Sequence, residues 1–188
     1  MEGMSEQLAH ILDRLGRAVH SLQYAEGLNP AQWEALRFIN RANRYTSKPG
    51  ALADYLGLTK GTVSQTLKTL EEKGYIQRVR NSRDRRLVRL ELTKVGETAL
   101  LSDPICHLEA AASEMPEEVE TATRLLSRYV LYLQGACGMS AFGMCEDCGY
   151  FSANREQPNQ ALVCGFTGEP LSDNELKKLC AAFKFDDE

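Results

Sequence analysis

Residues 59–92 read TKGTVSQTLKTLEEKGYIQRVRNSRDRRLVRLEL, a helix-forming run followed by two short alternating runs about NSRDRR, and no other segment restricts the fold as much. Ten bases stand between positions 59 and 94: Lys60, Lys68, Lys73, Arg78, Arg80, Arg83, Arg85, Arg86, Arg89 and Lys94. Four acids oppose them, Glu71, Glu72, Asp84 and Glu91, leaving +6 within a chain whose net charge is −4. Residues 1–58 balance at zero, and 95–140 and 141–188 each carry −5. The positive charge is gathered in one place. A gathered patch on an otherwise acidic chain suits a specific polyanion surface, because phosphate contacts supply most of the affinity for nucleic acid.

A chain of 188 residues suits one domain of about 140 residues with a small appendage. Composition shifts near Gly135, which divides the chain into a larger part, 1–138, and a cysteine-rich tail, 139–188. No stretch approaches the roughly 18 apolar residues of a membrane helix, and MEGMSEQLAHILDR lacks the basic and apolar regions of a signal peptide. The expectation is a cytoplasmic protein without a membrane partner. In a reducing compartment its six cysteines point to metal ligation or redox sensing rather than to a disulfide framework.

From Gln7 to Leu22 the apolar residues Leu8, Ile11, Leu12, Leu15, Val19 and Leu22 form one helical stripe, which either faces the core or packs on a second subunit. Asn29 and Pro30 open a helix that buries Trp33, Leu36 and Ile39. KPGALADYLGL predicts a short helix ended by Gly57, and Thr59 caps the next one, which stops at Gly74. Two short helices joined at LGLT make a helix-turn-helix pattern. Tyr75–Val79 and Leu87–Leu92 read as two strands. Thr93 caps a further helix that Pro104 kinks or interrupts, and Pro116 opens a last one with a stripe of Val119, Leu125, Leu126, Tyr129, Val130 and Leu133. The expected fold is mostly α with a small β-hairpin wing, a winged helix-turn-helix flanked by long amphipathic helices at both ends.

On the Thr59 helix, Val63, Leu67 and Leu70 face inward, which turns Lys60, Gly61, Thr62, Ser64, Gln65, Lys68 and Thr69 outward. Gln and Lys can read purine edges in the major groove, Thr can touch a thymine methyl or a phosphate, and Gly61 permits close approach. A solvated helix face would look similar. The hairpin decides between them, since Arg80, Arg83, Arg85 and Arg86 crowd one turn where their repulsion needs an anion, and such a loop can enter a narrow minor groove. Asp84 shapes the tip by pairing with a neighbouring arginine.

These elements, with LxxxGY at Leu70 to Tyr75, DRR at Asp84 to Arg86 and LTxxG at Leu92 to Gly96, resemble the MarR family of winged-helix transcription regulators over residues 7 to about 135. The resemblance implies a homodimer built from the terminal helices, a palindromic operator, and repression relieved by a ligand or oxidant. It assigns 59–70 to the recognition helix and 80–86 to the wing. It also implies an effector pocket, for which no residue identifies a small molecule.

The tail departs from that pattern. Cys145, Cys148, Cys164 and Cys180 are separated by two, fifteen and fifteen residues, a density suited to four sulfur ligands on one centre. Zinc favours two paired knuckles, and only one CxxC pair is present. Tyr150, Phe151, Phe166 and Phe183 suit a shielded cluster, and the pattern resembles small 4Fe-4S modules related to high-potential iron-sulfur proteins. A 4Fe-4S cluster is favoured; structural zinc beside a small-molecule effector, and metal-free thiols that form a disulfide, are the alternatives. Cys106 and Cys137 read as small buried hydrophobes, and His10, His20 and His107 as structural. Attached to a dimerisation helix, a cluster acting as redox or iron sensor would alter the spacing of the recognition helices. An iron-sulfur or thiol redox enzyme is the reading from another class, opposed by the lack of a phosphate loop, a nucleotide fingerprint or a nucleophile with a base. An adaptor that has lost DNA binding is opposed by Lys60, Gln65, Lys68 and the arginine wing.

Overall fold

The computed structural model describes residues 2–80, 88–152 and 162–184. Seven helices and a hairpin make up most of it: α1 (Glu2–Leu22), α2 (Pro30–Arg41), α3 (Pro49–Leu56), α4 (Lys60–Glu72), β1 (Ile76–Arg80), β2 (Val88–Leu92), α5 (Lys94–Ala99), α6 (Cys106–Ser113) and α7 (Val119–Ala136). The tail adds β3 (Gly143–Met144), α8 (Gly149–Ser152), α9 (Asp173–Leu176) and β4 (Leu179–Cys180).

Local chemistry sets these boundaries. The Asn29 side chain accepts the Gln32 amide at 3.0 Å and the Gln32 side chain accepts the Asn29 amide at 3.0 Å, so both orphan donors at the start of α2 are satisfied. Gly57, at φ 62, closes α3 in the left-handed region that favours glycine. The Thr59 and Thr93 hydroxyls accept the Thr62 and Gly96 amides, each at 3.2 Å, and start α4 and α5.

β1 and β2 pair antiparallel, from Ile76 opposite Leu92 to Arg80 opposite Val88. The first strand begins one residue later than the alternation predicts. Tyr75 is engaged elsewhere: its amide donates to Leu70 at 2.9 Å to close α4, and its carbonyl accepts the Thr93 amide at 3.0 Å. The run after Thr93 is broken into α5, a 3-10 turn at Leu100–Ser102, and α6. Asp103, held extended before Pro104, makes that break.

Trp33, Leu36, Phe38, Leu52, Val63, Leu67, Leu70, Ile76 and Leu90 are buried in one core, which seats the helix-turn-helix and the hairpin against α2. Two tail residues, Phe142 and Leu179, belong to the same core. Phe142 meets Phe38 and Tyr55 edge-on, with centroids 6.3 and 5.2 Å apart. The tail beyond residue 138 is therefore packed back onto the winged helix instead of hanging from α7.

Cys106 and Cys137 are exposed, against the expectation that they are buried hydrophobes. The reason is the helices that carry them: α6 and α7 contribute no buried residue. The α1 stripe of Leu8, Ile11, Leu15 and Leu22 is likewise at least 41% exposed, and Leu125, Leu126, Tyr129, Val130 and Leu133 of α7 at least 37%. Among the described residues both stripes are left largely uncovered.

Candidate functional site

α4 is pinned by Val63, Leu67 and Leu70, each at most 1% exposed, one turn apart along its inner face. Its outer face then follows by geometry. Lys60, Gly61, Thr62, Ser64, Gln65 and Lys68 are exposed, and Thr69 is half-buried with its hydroxyl donating to the Gln65 carbonyl at 3.1 Å. Lys68 stands 3.8 Å from Glu72, both well exposed, a surface pair worth roughly 0–1 kcal/mol that a phosphate can displace. Arg80, at the end of β1, is exposed. Arg83, Asp84, Arg85 and Arg86 lie outside the described residues.

The four tail cysteines converge. Cys145, Cys148 and Cys180 are buried, Cys164 is half-buried, and all four line one cavity of about 320 Å³ whose walls include Tyr150, Phe151, Phe166 and Leu171. Among the described residues its lining contains no His, Asp or Glu. Several donors point at the sulfurs: Asn43 Nδ2 lies 3.8 Å from Cys145 Sγ, and the Lys184 amide lies 3.5 Å from Cys148 Sγ. Hydrogen bonding from Cys145 lowers the Cys180 thiol from its ordinary value despite burial, while the same bond, together with burial, raises Cys145.

An all-sulfur donor set in apolar walls fits a soft metal centre. Among the described residues, however, no three of Cys, His, Asp and Glu stand close enough together to hold one ion.

The cavity is attached to the α2–α3 connection. The Asn43 amide donates to the Leu179 carbonyl at 2.9 Å, the Ala181 amide to Thr46 Oγ1 at 2.9 Å, and Lys178 Nζ to the Asn40 carbonyl at 2.6 Å. Arg44 bridges to Glu169 at 3.3 Å, to Glu175 at 3.2 Å and to the Pro170 carbonyl at 2.9 Å.

Residues 26–87, which hold the helix-turn-helix, match the family model described as MarR family. This part of the chain is similar to the winged helix of that family. The transcriptional repressor MprA of Escherichia coli is 26% identical over 91 residues, 48% of this chain and 52% of that protein. The chain thus spans about half the length of the curated relatives it matches. Among solved structures, FabT of Streptococcus pneumoniae in complex with DNA is 24% identical with a TM-score of 0.55, covering 72% of this chain and 98% of that one. A MarR family protein from Bacillus stearothermophilus is 19% identical with a TM-score of 0.57, covering 71% and 94%. These likenesses establish the MarR-type fold.

Sequence reasoning missed the connection that joins this winged helix to the tail. Asn43, Arg44 and Thr46 sit in RANRYTSKPG, a polar run with no periodicity and no ligand spacing, so nothing local marked it. No helix among the described residues is long and apolar enough to cross a membrane.

Proposed function

We propose that the protein is a DNA-binding transcriptional regulator, a cytoplasmic repressor that grips a palindromic operator as a homodimer. The observation that carries this reading is the outer face of α4: polar, free of acid over its first three turns, and held outward by three buried residues. In this reading Gln65 and Lys68 would meet base edges, Thr62 and Ser64 phosphate or a thymine methyl, and the arginines of residues 80–86 would enter the minor groove. FabT, of the same fold, was captured on DNA, and MprA is a repressor; both support the reading. The unpartnered stripes of α1 and α7 support a second copy as the dimer partner.

The finer part of the proposal is a sensor. Cys145, Cys148, Cys164 and Cys180, which line one cavity, would hold a metal centre, with a 4Fe-4S cluster favoured over zinc because the sequence has a single CxxC pair beside aromatic residues. Such a centre would report oxidant or iron supply.

The test is binding of the purified protein to duplexes that it selects from a random-sequence pool, followed by fluorescence anisotropy at rising salt. Affinity should fall steeply, by about 10³-fold or more between 50 and 200 mM salt if six or more phosphates are contacted. Binding indifferent to salt, or no enrichment of any sequence, would end the regulator reading. Absorbance between roughly 300 and 500 nm, with iron, sulfide and zinc assays on anaerobically purified protein, tests the centre separately.

A further inference from the structure

We propose that the winged helix itself completes the cysteine centre: Asn43 donates its side-chain N–H to the sulfur of metal-bound Cys145, and the turn it organises carries the occupancy of the centre to β2. This rests on the four cysteines being ligands of a thiophilic metal centre.

Asn43 is only 3% exposed. Its Oδ1 accepts the backbone amides of Tyr45 at 3.1 Å and Thr46 at 2.9 Å, which fixes the orientation of the carboxamide and leaves Nδ2 facing Cys145 Sγ at 3.8 Å. A neutral thiol is a weak acceptor, so a buried amide donor aimed at one is poorly satisfied. A metal-bound thiolate is anionic, and the same N–H then makes a charge-assisted bond. The donor is placed for a liganded sulfur. Donors of this kind orient metal ligands and tune the centre they hold.

The turn also reaches the hairpin. Two residues beyond Tyr45, Ser47 accepts the Leu90 amide with its carbonyl at 2.9 Å and donates its hydroxyl to the Leu90 carbonyl at 2.7 Å. Leu90 is buried in β2, the strand that leads out of the wing. Filling the centre should tighten the turn and, through Ser47, the root of the wing. By linkage, DNA that favours the tightened wing must strengthen metal binding by the same factor.

Asn43→Asp provides the test. Its carboxylate keeps an acceptor for the Tyr45 and Thr46 amides but turns a second acceptor, not a donor, toward sulfur. With Zn²⁺ as the thiophilic probe, titrated against a chromophoric chelator, affinity should fall about 10–100-fold relative to the unmodified protein. Amide exchange at Leu90 should be slower with zinc than without it in the unmodified protein, and independent of zinc in the variant. Equal zinc affinity in both proteins overturns the inference while leaving the metal reading intact. If the unmodified protein binds no more zinc than Cys148→Ser, the metal reading beneath it fails, and the inference with it. Should the metal-free Asn43→Asp protein fail to fold by circular dichroism, Arg44→Glu decides: it keeps every sulfur contact and cuts the turn from Glu169 and Glu175. The Leu90 response should then weaken, and an undiminished response overturns the coupling.

Discussion

A Cβ on Gly96 would stand 2.1 Å from the Tyr75 carbonyl oxygen and 3.3 Å from a Leu92 methyl. That close approach is why glycine follows three residues after the Thr93 cap: the first turn of α5 lies directly on the end of the recognition-helix junction. Gly96→Ala should destabilise by about 1–3 kcal/mol, lowering the thermal midpoint by some 2–4 °C per kcal/mol. A midpoint unchanged by the added methyl would mean that α5 does not sit there. On the exposed face of α4, Gln65 and Lys68 should separate by kind of effect. Gln65→Ala should relax base preference at one operator position by about 1–3 kcal/mol, read by repeating the selection from a random pool. Lys68→Ala should weaken duplexes of every sequence more evenly if it meets phosphate. Identical preference profiles for the parent and Gln65→Ala would remove Gln65 from base reading.

Among the described elements, α1 and α7 differ from the rest in having well-formed apolar stripes that stay largely exposed. Leu125, Leu126, Val130 and Leu133 of α7 are 41–55% exposed, a row of apolar surface unusual for an isolated helix of a folded protein. The double change Leu126→Asp and Val130→Asp should shift the protein to monomer in sedimentation and cost at least tenfold in affinity for a two-half-site duplex, because each half-site would then be bound independently. A dimer that survives both charges would place the interface elsewhere. α2 and α4 need no such partner. Their inner faces are closed by Trp33, Leu36, Leu67 and Leu70 within the chain, so the winged helix should keep its shape in the double variant.

The molecule as a whole is tied together where the tail returns. Phe142 and Leu179 enter the core of the winged helix, more than a hundred residues after the Phe38 and Ala42 they meet there. Phe142→Ala should therefore cost about 3–5 kcal/mol of unfolding free energy, as truncation of a buried aromatic does. The single tryptophan, Trp33, is fully buried in that same core and reports its unfolding in urea by fluorescence. A pendant tail would leave the Trp33 transition where it was, and that result would sink the docked arrangement. The return also changes how a sensor in the tail can act. It need not alter helix spacing through α7, since the cavity touches the winged helix directly at Asn43 and Thr46.

Local chemistry was legible before any coordinates. The caps at Asn29, Thr59 and Thr93, the stop at Gly57, the inward faces of α2 and α4 and the hairpin pairing all depend on residues a few positions apart, where spacing alone determines contact. The cysteine set was legible too, as a density of thiols. What the chain order could not reveal is where distant segments meet: Leu179 beside Ala42, Cys145 beside Asn43, Phe142 under Tyr55. Those contacts join short, irregular pieces such as the two-residue strands β3 and β4, which leave no periodic trace. Even the burial expected of Cys106 and Cys137 failed for this reason, because a helical stripe says that a face will be covered and only packing says by what.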